Sequence, residues 1–370
     1  MAKDMYVYVG TYTEAIKFGT GQVLLGKGEG IYLYKLDFSS GQLRLVSTTT
    51  GVVNPSYLTL TPSGKYLYAV NELKQFDGKE SGAVSAFAVE SGTSRLSFIN
   101  QLPTGGADPC YVCVNDRESH VFVTNFMSGS VCVYPILKNG ALDTPSQFIQ
   151  HSGSSVNKTR QTGPHAHSLV FDPSNRYTCV PDLGLDKLML YKTDFSSGKL
   201  ELLSCESYTA EPGSGPRHCV FHPNGRFCYM INELNCTISA LKFDQQSGSF
   251  TLLQNVPTVL GGFEGENSGA DIKIHPNGRY LYGSNRGHNS IVIYRVDQNT
   301  GLLSPIGIES SRGEIPRNFA IDPTGTFLLV ANQDTDNIVV FEIDNGTGNL
   351  TMISEVKVPT PVCIKVYHMV

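Results

Sequence analysis

No run of apolar residues in this chain approaches the roughly 18 needed to cross a bilayer as a helix, so no membrane partner is expected. Met1-Ala2-Lys3-Asp4 leads directly into a strand-like run without an apolar signal segment, and a cytoplasmic location is the expectation. A disulfide framework is missing as well. The nine cysteines are odd in number, and several sit inside strand-like runs (Cys113, Cys132, Cys228), a pattern of reduced thiols. Cys110 and Cys113 form a C-x-x-C, but positions i and i+3 of a strand face opposite sides, which argues against a shared metal or redox role. Positive charge is not in excess: the net charge of −5 speaks against nucleic acid as a partner. Nor does the chain contain a G-x-S-x-G elbow, so a serine nucleophile of that type is not expected.

What is abundant is turn chemistry, with 37 glycines and 19 prolines. In the stretch from Gly215 to Leu234 two apolar runs, 219–221 and 227–231, flank Pro223-Asn224-Gly225. Proline presets φ at the second position of a type I turn and glycine is favoured at the fourth, so the stretch reads as an antiparallel hairpin. Arg217 and His218 stand at its open end, beside Glu233. Equivalent turns occur at Pro62, Asp116, Pro173, Pro276 and Pro323, with intervals of 47 to 57 residues. Two more strand-like runs follow each hairpin. Four short strands on such a period are the mark of a β-propeller blade.

The ends complete the count. Residues 5–12 match the second strand of a blade, and residues 30–37 and 42–48 its third and fourth. The first strand is missing there, whereas residues 361–366 form a strand-like run with no hairpin partner after it. Joining the two ends closes the ring and removes its free edges. The expected fold is all-β: one seven-bladed β-propeller domain over residues 1–370, four antiparallel strands per blade.

In such a ring, residues just before each first strand or just after each second strand converge on one mouth of the central channel. That set includes Tyr12, Glu14, Glu72, Asn125, His165, His167, Asp182, Arg217, His218, Glu233, Asp271, Arg286, Arg317, Asn318 and Gln333. Any one of them reads equally well as a solvated loop charge or a turn-capping amide. Together, arginines and histidines facing carboxylates describe a site for a small anion, since guanidinium forks pair bidentately with carboxylate or phosphate.

The ordered set Gly163-Pro164-His165-Ala166-His167, Pro216-Arg217-His218, Asn232-Glu233-Leu234, Ser284-Asn285-Arg286-Gly287 and Pro316-Arg317-Asn318, with the opening Tyr8-Val9-Gly10-Thr11-Tyr12-Thr13, resembles the seven-bladed propeller lactonase family over essentially the full chain. That family includes propeller-type 6-phosphogluconolactonases and a muconate-lactonising enzyme. The resemblance implies a cytoplasmic hydrolase of a small anionic lactone, needing no cofactor and no metal. Its catalytic residues would be Glu233, His167, His165 and Arg217, with Glu233 preferred as the base. Arg286, Arg317, His218, Asp182, Glu72 and Gln333 would bind substrate. Residues 15–29 make a longer loop than the family leads one to expect, read either as a mobile cover over the site or as an idle insertion. Asp271 stands where a glutamate is expected. Three alternatives stay open: a lactonising cycloisomerase, a Ca²⁺-dependent lactonase using oxygens of Glu72, Asn125, Asp182 and Glu233, and a non-catalytic docking propeller.

Overall fold

The computed structural model describes residues 5–203 and 207–368. Met1-Ala2-Lys3-Asp4, on which the reading of the chain start rests, lies outside the described residues. Every regular element among those described is a strand. Seven antiparallel sheets follow one another around a ring. In the closing blade Pro361–His368 pairs with Met5–Thr11, which continues through Gly30–Leu36 to Leu43–Thr50. The ring is therefore shut by backbone hydrogen bonds between the two ends of the chain, as the unpaired C-terminal run required. The fourth blade departs from the four-strand pattern. Its innermost strand is reduced to Val170–Phe171 plus an isolated bridge from Ala166 to Asp182, and a short extra strand, Tyr208–Thr209, pairs with Lys187–Asp194.

Apolar side chains from facing sheets fill the spaces between blades. A recurrent tyrosine ties each of four blades to the next. The buried hydroxyls of Tyr8, Tyr68, Tyr229 and Tyr282 donate to the backbone carbonyls of Ser94, Gly140, Gly301 and Gly348, at 2.6 to 3.1 Å. Each bond satisfies a polar atom that burial would otherwise penalise.

Two features at the strand ends build the mouth. Near the end of several second strands a buried asparagine braces the loop behind it: Asn71 donates to the Val53 carbonyl, Asn285 to Thr258 and Asn332 to Ser311. Side chains alternate along extended chain, so the next residue (Tyr12, Glu72, Phe126, Glu233, Gln333) turns the other way. In the first strands a β-bulge follows the opening proline. Pro216 pairs with Asn232 but His218 with Ile231, leaving Arg217 as the extra residue. The same slip isolates Cys110, Arg317 and Val362. A bulge re-aims the extra side chain, here into the channel.

Candidate active site

The two rings of side chains enclose a cavity of about 470 Å³ at one mouth of the channel. Its walls include Glu72, Phe126, Glu233, Arg286 and Gln333 from the strand ends, Cys110 and Arg317 from first strands, and His167 from the run leading into the short first strand of the fourth blade. A narrow recess continues beneath it, lined by Ser56, Cys110, His167, Arg217, Arg317 and Val362 with His218 and Asn318.

Glu233 is the hub. Its Oε1 accepts from Arg160 at 2.6 Å, and its Oε2 lies 3.1 Å from Arg217 Nε and 2.8 Å from an Arg286 terminal nitrogen. Burial alone would raise its pKa, but Arg286, Arg160 and Arg217 outweigh that and hold the carboxyl well below the usual range. Arg160, in the connection between the third and fourth blades, carried no signal in the sequence: it belongs to no strand and to no repeat position. Burial, then the neighbouring Arg286 and Arg317, bring Arg217 down to about 10. Arg317 lies 4.0 Å from Glu72, with its guanidinium 5.6 Å from the Tyr12 ring centre and 5.3 Å from that of Phe18. Three polar atoms of the wall, Asp108 Oδ1, Arg286 Nε and Gln333 Oε1, are buried without a partner.

His167 occupies, in the fourth blade, the position of the bulged arginines. Its Nδ1 is 3.8 Å from Cys110 Sγ, and its ring meets Phe126 and His218 edge-on at 5.2 Å. Burial first, then Arg217 and His218, lower its pKa well below 6.5, so the imidazole is neutral at physiological pH. His218 sits deeper. Its Nδ1 is 2.8 Å from Asp271, which also accepts from Lys273 at 2.7 Å and from Asn318 at 2.6 Å. Burial, and next the Arg217 charge, bring His218 down to about 3. Its Nε2, 3.3 Å from Arg217, is then an acceptor that orients that guanidinium.

Three sequence-based expectations change. Asp182 is not on the cavity wall. It takes the buried brace position, accepting from the His165, Gly184 and Leu185 amides and lying 2.6 Å from His151 Nδ1. His165 is likewise withdrawn: its ring stacks on Phe126 at 4.7 Å and its Nδ1 donates to the Phe126 carbonyl. The proposed oxygen-ligand set for Ca²⁺ is not assembled, because guanidinium groups engage Glu233 and His151 engages Asp182. The loop of residues 15–29 contains a small hairpin, Ala15–Lys17 with Val23–Leu25, and Lys17, Phe18, Gly19, Thr20 and Gln22 line the cavity. It is fastened at its base. The Asn54 side chain accepts from the Thr13 and Glu14 amides, and Thr360 Oγ1 from the Lys27 amide. At Gly28 a Cβ would meet Thr11 at 2.1 Å, so this glycine serves close packing.

A family model described as a seven-bladed β-propeller lactonase matches residues 6–366. The 6-phosphogluconolactonase of Bacillus subtilis is 35% identical over 364 residues, covering 98% of each chain. That of Formosa agariphila is 36% identical over 298 residues, 80% of this chain and 83% of the relative. The solved structure of the periplasmic gluconolactonase of Pseudomonas aeruginosa superposes with a TM-score of 0.89 at 31% identity, covering 99% of both chains.

Proposed function

Because this chain belongs to the seven-bladed β-propeller lactonase family, we propose that it hydrolyses a small anionic sugar lactone, 6-phosphogluconolactone, to the open hydroxy acid. The observation that carries the reading is the convergence of Arg160, Arg217, Arg286 and Arg317 on the floor and walls of one cavity, where Glu72 and Glu233 are the neighbouring buried glutamates. Glu266 and Asp334 also line the cavity. A phosphate suits the guanidinium forks at the wall, and the unpartnered Arg286 Nε is an available donor.

Lactone hydrolysis needs a base for the attacking water and a donor for the tetrahedral oxyanion. Glu233 is a poor base here: three guanidinium groups stabilise its ionised form, and basicity falls with pKa. His167 is neutral, and no protein group bonds its Nε2 among the described residues, so it can take the proton. Arg217 stands beside it in the recess, fixed by Glu233, His218 and the Ala270 carbonyl at 2.5 Å, and is placed to receive the oxyanion. Glu233 then acts by holding Arg160, Arg217 and Arg286 in register.

The test is the rate of ring opening of 6-phosphogluconolactone against gluconolactone, over the uncatalysed background. The phosphorylated lactone should be preferred. Arg286→Ala should raise KM for it by about 10–100-fold, the equivalent of about 1.5–3 kcal/mol for a charged hydrogen bond, while changing the neutral lactone far less. Equal losses on both substrates would refute phosphate recognition by Arg286, and no acceleration of either lactone would refute the substrate class.

A further inference from the structure

Ring opening expels an alkoxide, which takes its proton either from the imidazolium that His167 has become or from a second acid of the cavity. The residue preceding the proline of the first strand has a left-handed backbone in five blades: Asn54, Asp108, Gly215, Ile315 and Thr360 have φ between 41° and 66°. The conformation therefore belongs to the scaffold, and what differs is the side chain it presents. Asn54 and Thr360 spend theirs on the backbone at the base of the hairpin, accepting from Thr13, Glu14 and Lys27. Asp108 alone among the five is ionisable. It is 4% exposed, lines the cavity with Glu72, Cys110 and His167, and its Oδ1 is buried with no hydrogen-bond partner. An orphaned buried carboxyl oxygen costs stability unless something is found for it to do.

We propose that Asp108 is the proton donor to the leaving ring oxygen, a catalytic residue of the lactonase reaction; the assignment rests on the hydrolytic reading above. Water adds its hydroxyl to the lactone carbonyl carbon and gives its proton to His167. The tetrahedral intermediate collapses, the bond from the former carbonyl carbon to the ring oxygen breaks, and the Asp108 proton passes to that oxygen as the sugar hydroxyl forms. The new carboxylic acid returns a proton to Asp108, His167 releases its own to solvent, and one proton is liberated per turnover.

The surroundings suit a carboxyl that is protonated near neutrality. Burial, and next the Glu72 carboxylate, push Asp108 up to about 7, against the pull of Lys74. Lys74 lies 3.6 Å from Oδ2; with 45% of its side chain exposed its charge is partly screened, so it lowers Asp108 by less than burial and Glu72 raise it. Among the other titratable groups lining or facing this corner, burial keeps Tyr12, Cys110 and His167 neutral. Glu233 and Asp108 thus have pKa values driven apart within one cavity, the pattern that separates a fixed charge from an acid.

An acid that must be protonated loses activity as pH rises through its pKa. In the wild-type protein kcat/KM for 6-phosphogluconolactone, with background subtracted, should fall above about pH 7. Asp108→Asn should lower kcat by about 10²–10⁴-fold and abolish that alkaline limb, while the substrate's own ionisation remains common to both profiles. Lys74→Met, at an exposed position, removes a cation from beside Asp108 and should move the limb to higher pH. An alkaline limb that survives in Asp108→Asn, or a limb unmoved by Lys74→Met, would overturn the assignment, the second even if the Asn variant failed to fold. A wild-type protein that does not open the lactone at all would instead overturn the parent reading and this assignment with it.

Discussion

At the scale of single residues, the cavity separates charge that is fixed from charge that moves. His167→Asn should lower kcat by about 10²–10⁴-fold if the imidazole is the base. A base must be unprotonated. Because the folded pKa of His167 lies well below 6.5, activity should hold as the pH falls through 6.5 and be lost only at clearly lower pH. An acid limb centred at 6.5 would contradict the electrostatics of the site. Glu233 behaves differently. Its folded pKa is depressed below 4.5, so its contribution to stability is present above that value and lost as pH falls through the folded pKa. Glu233→Gln leaves three partly or fully buried guanidinium groups without their counter-charge, and breaking a buried pair costs about 3–5 kcal/mol. The expected outcome is a lowered melting temperature at neutral pH, together with weakened substrate binding. A base without a structural role would instead lose kcat at unchanged stability.

At the scale of elements, the hairpin of residues 15–25 is the piece most open to alteration. Phe18 packs edge-on against Tyr12 at 5.9 Å and covers Arg317, and the Lys17 carbonyl accepts from Lys74 at 2.8 Å. Replacing residues 15–29 with a short turn should expose Arg317 to water, weaken its pull on an anion and raise KM. An unchanged KM and kcat would make the hairpin an idle insertion. The bulges matter more than any loop. Each carries an extra residue, Cys110, Arg217, Arg317 or Val362, that turns from the blade into the channel. The third blade's turn, which lacks the usual glycine, is accommodated by Glu118 at φ 53° and by Asn115 accepting from the Ser119 and His120 amides.

At the scale of the whole molecule, one strand closes the ring. Pro361–His368 pairs with Met5–Thr11 from His368 opposite Met5 to Pro361 opposite Thr11, and its Val362 reaches the floor of the recess. Truncation after Thr360 should expose both the edge of that blade and the apolar faces of its neighbours. The product should be insoluble or melt without cooperativity; cooperative unfolding at the wild-type temperature would show that closure is dispensable.

The propeller was legible in the chain because its signals are local and repeated: a hairpin turn every 47 to 57 residues, Pro-x-Gly in four of six, short apolar runs of strand length, and a first strand displaced to the far end. The mouth of the channel was legible to within a residue or two, and that margin is where sequence reasoning failed. Asp182 and Glu233 look alike as acids at the end of a second strand. Asp182 is the last paired residue and points into the scaffold, whereas Glu233 follows Asn232 and faces the cavity. A shift of one position reverses a side chain's direction, and the register is set by pairing between strands. Arg160 lies between blades, outside any period, and Asp108 precedes a first strand at a position whose side chain differs from blade to blade, so only the folded ring brings them to the cavity. The turns and strand lengths thus determined the seven blades. The tertiary structure, by fixing register and bulges, decided which charges meet and thereby which carboxyl is held ionised and which is kept near neutrality.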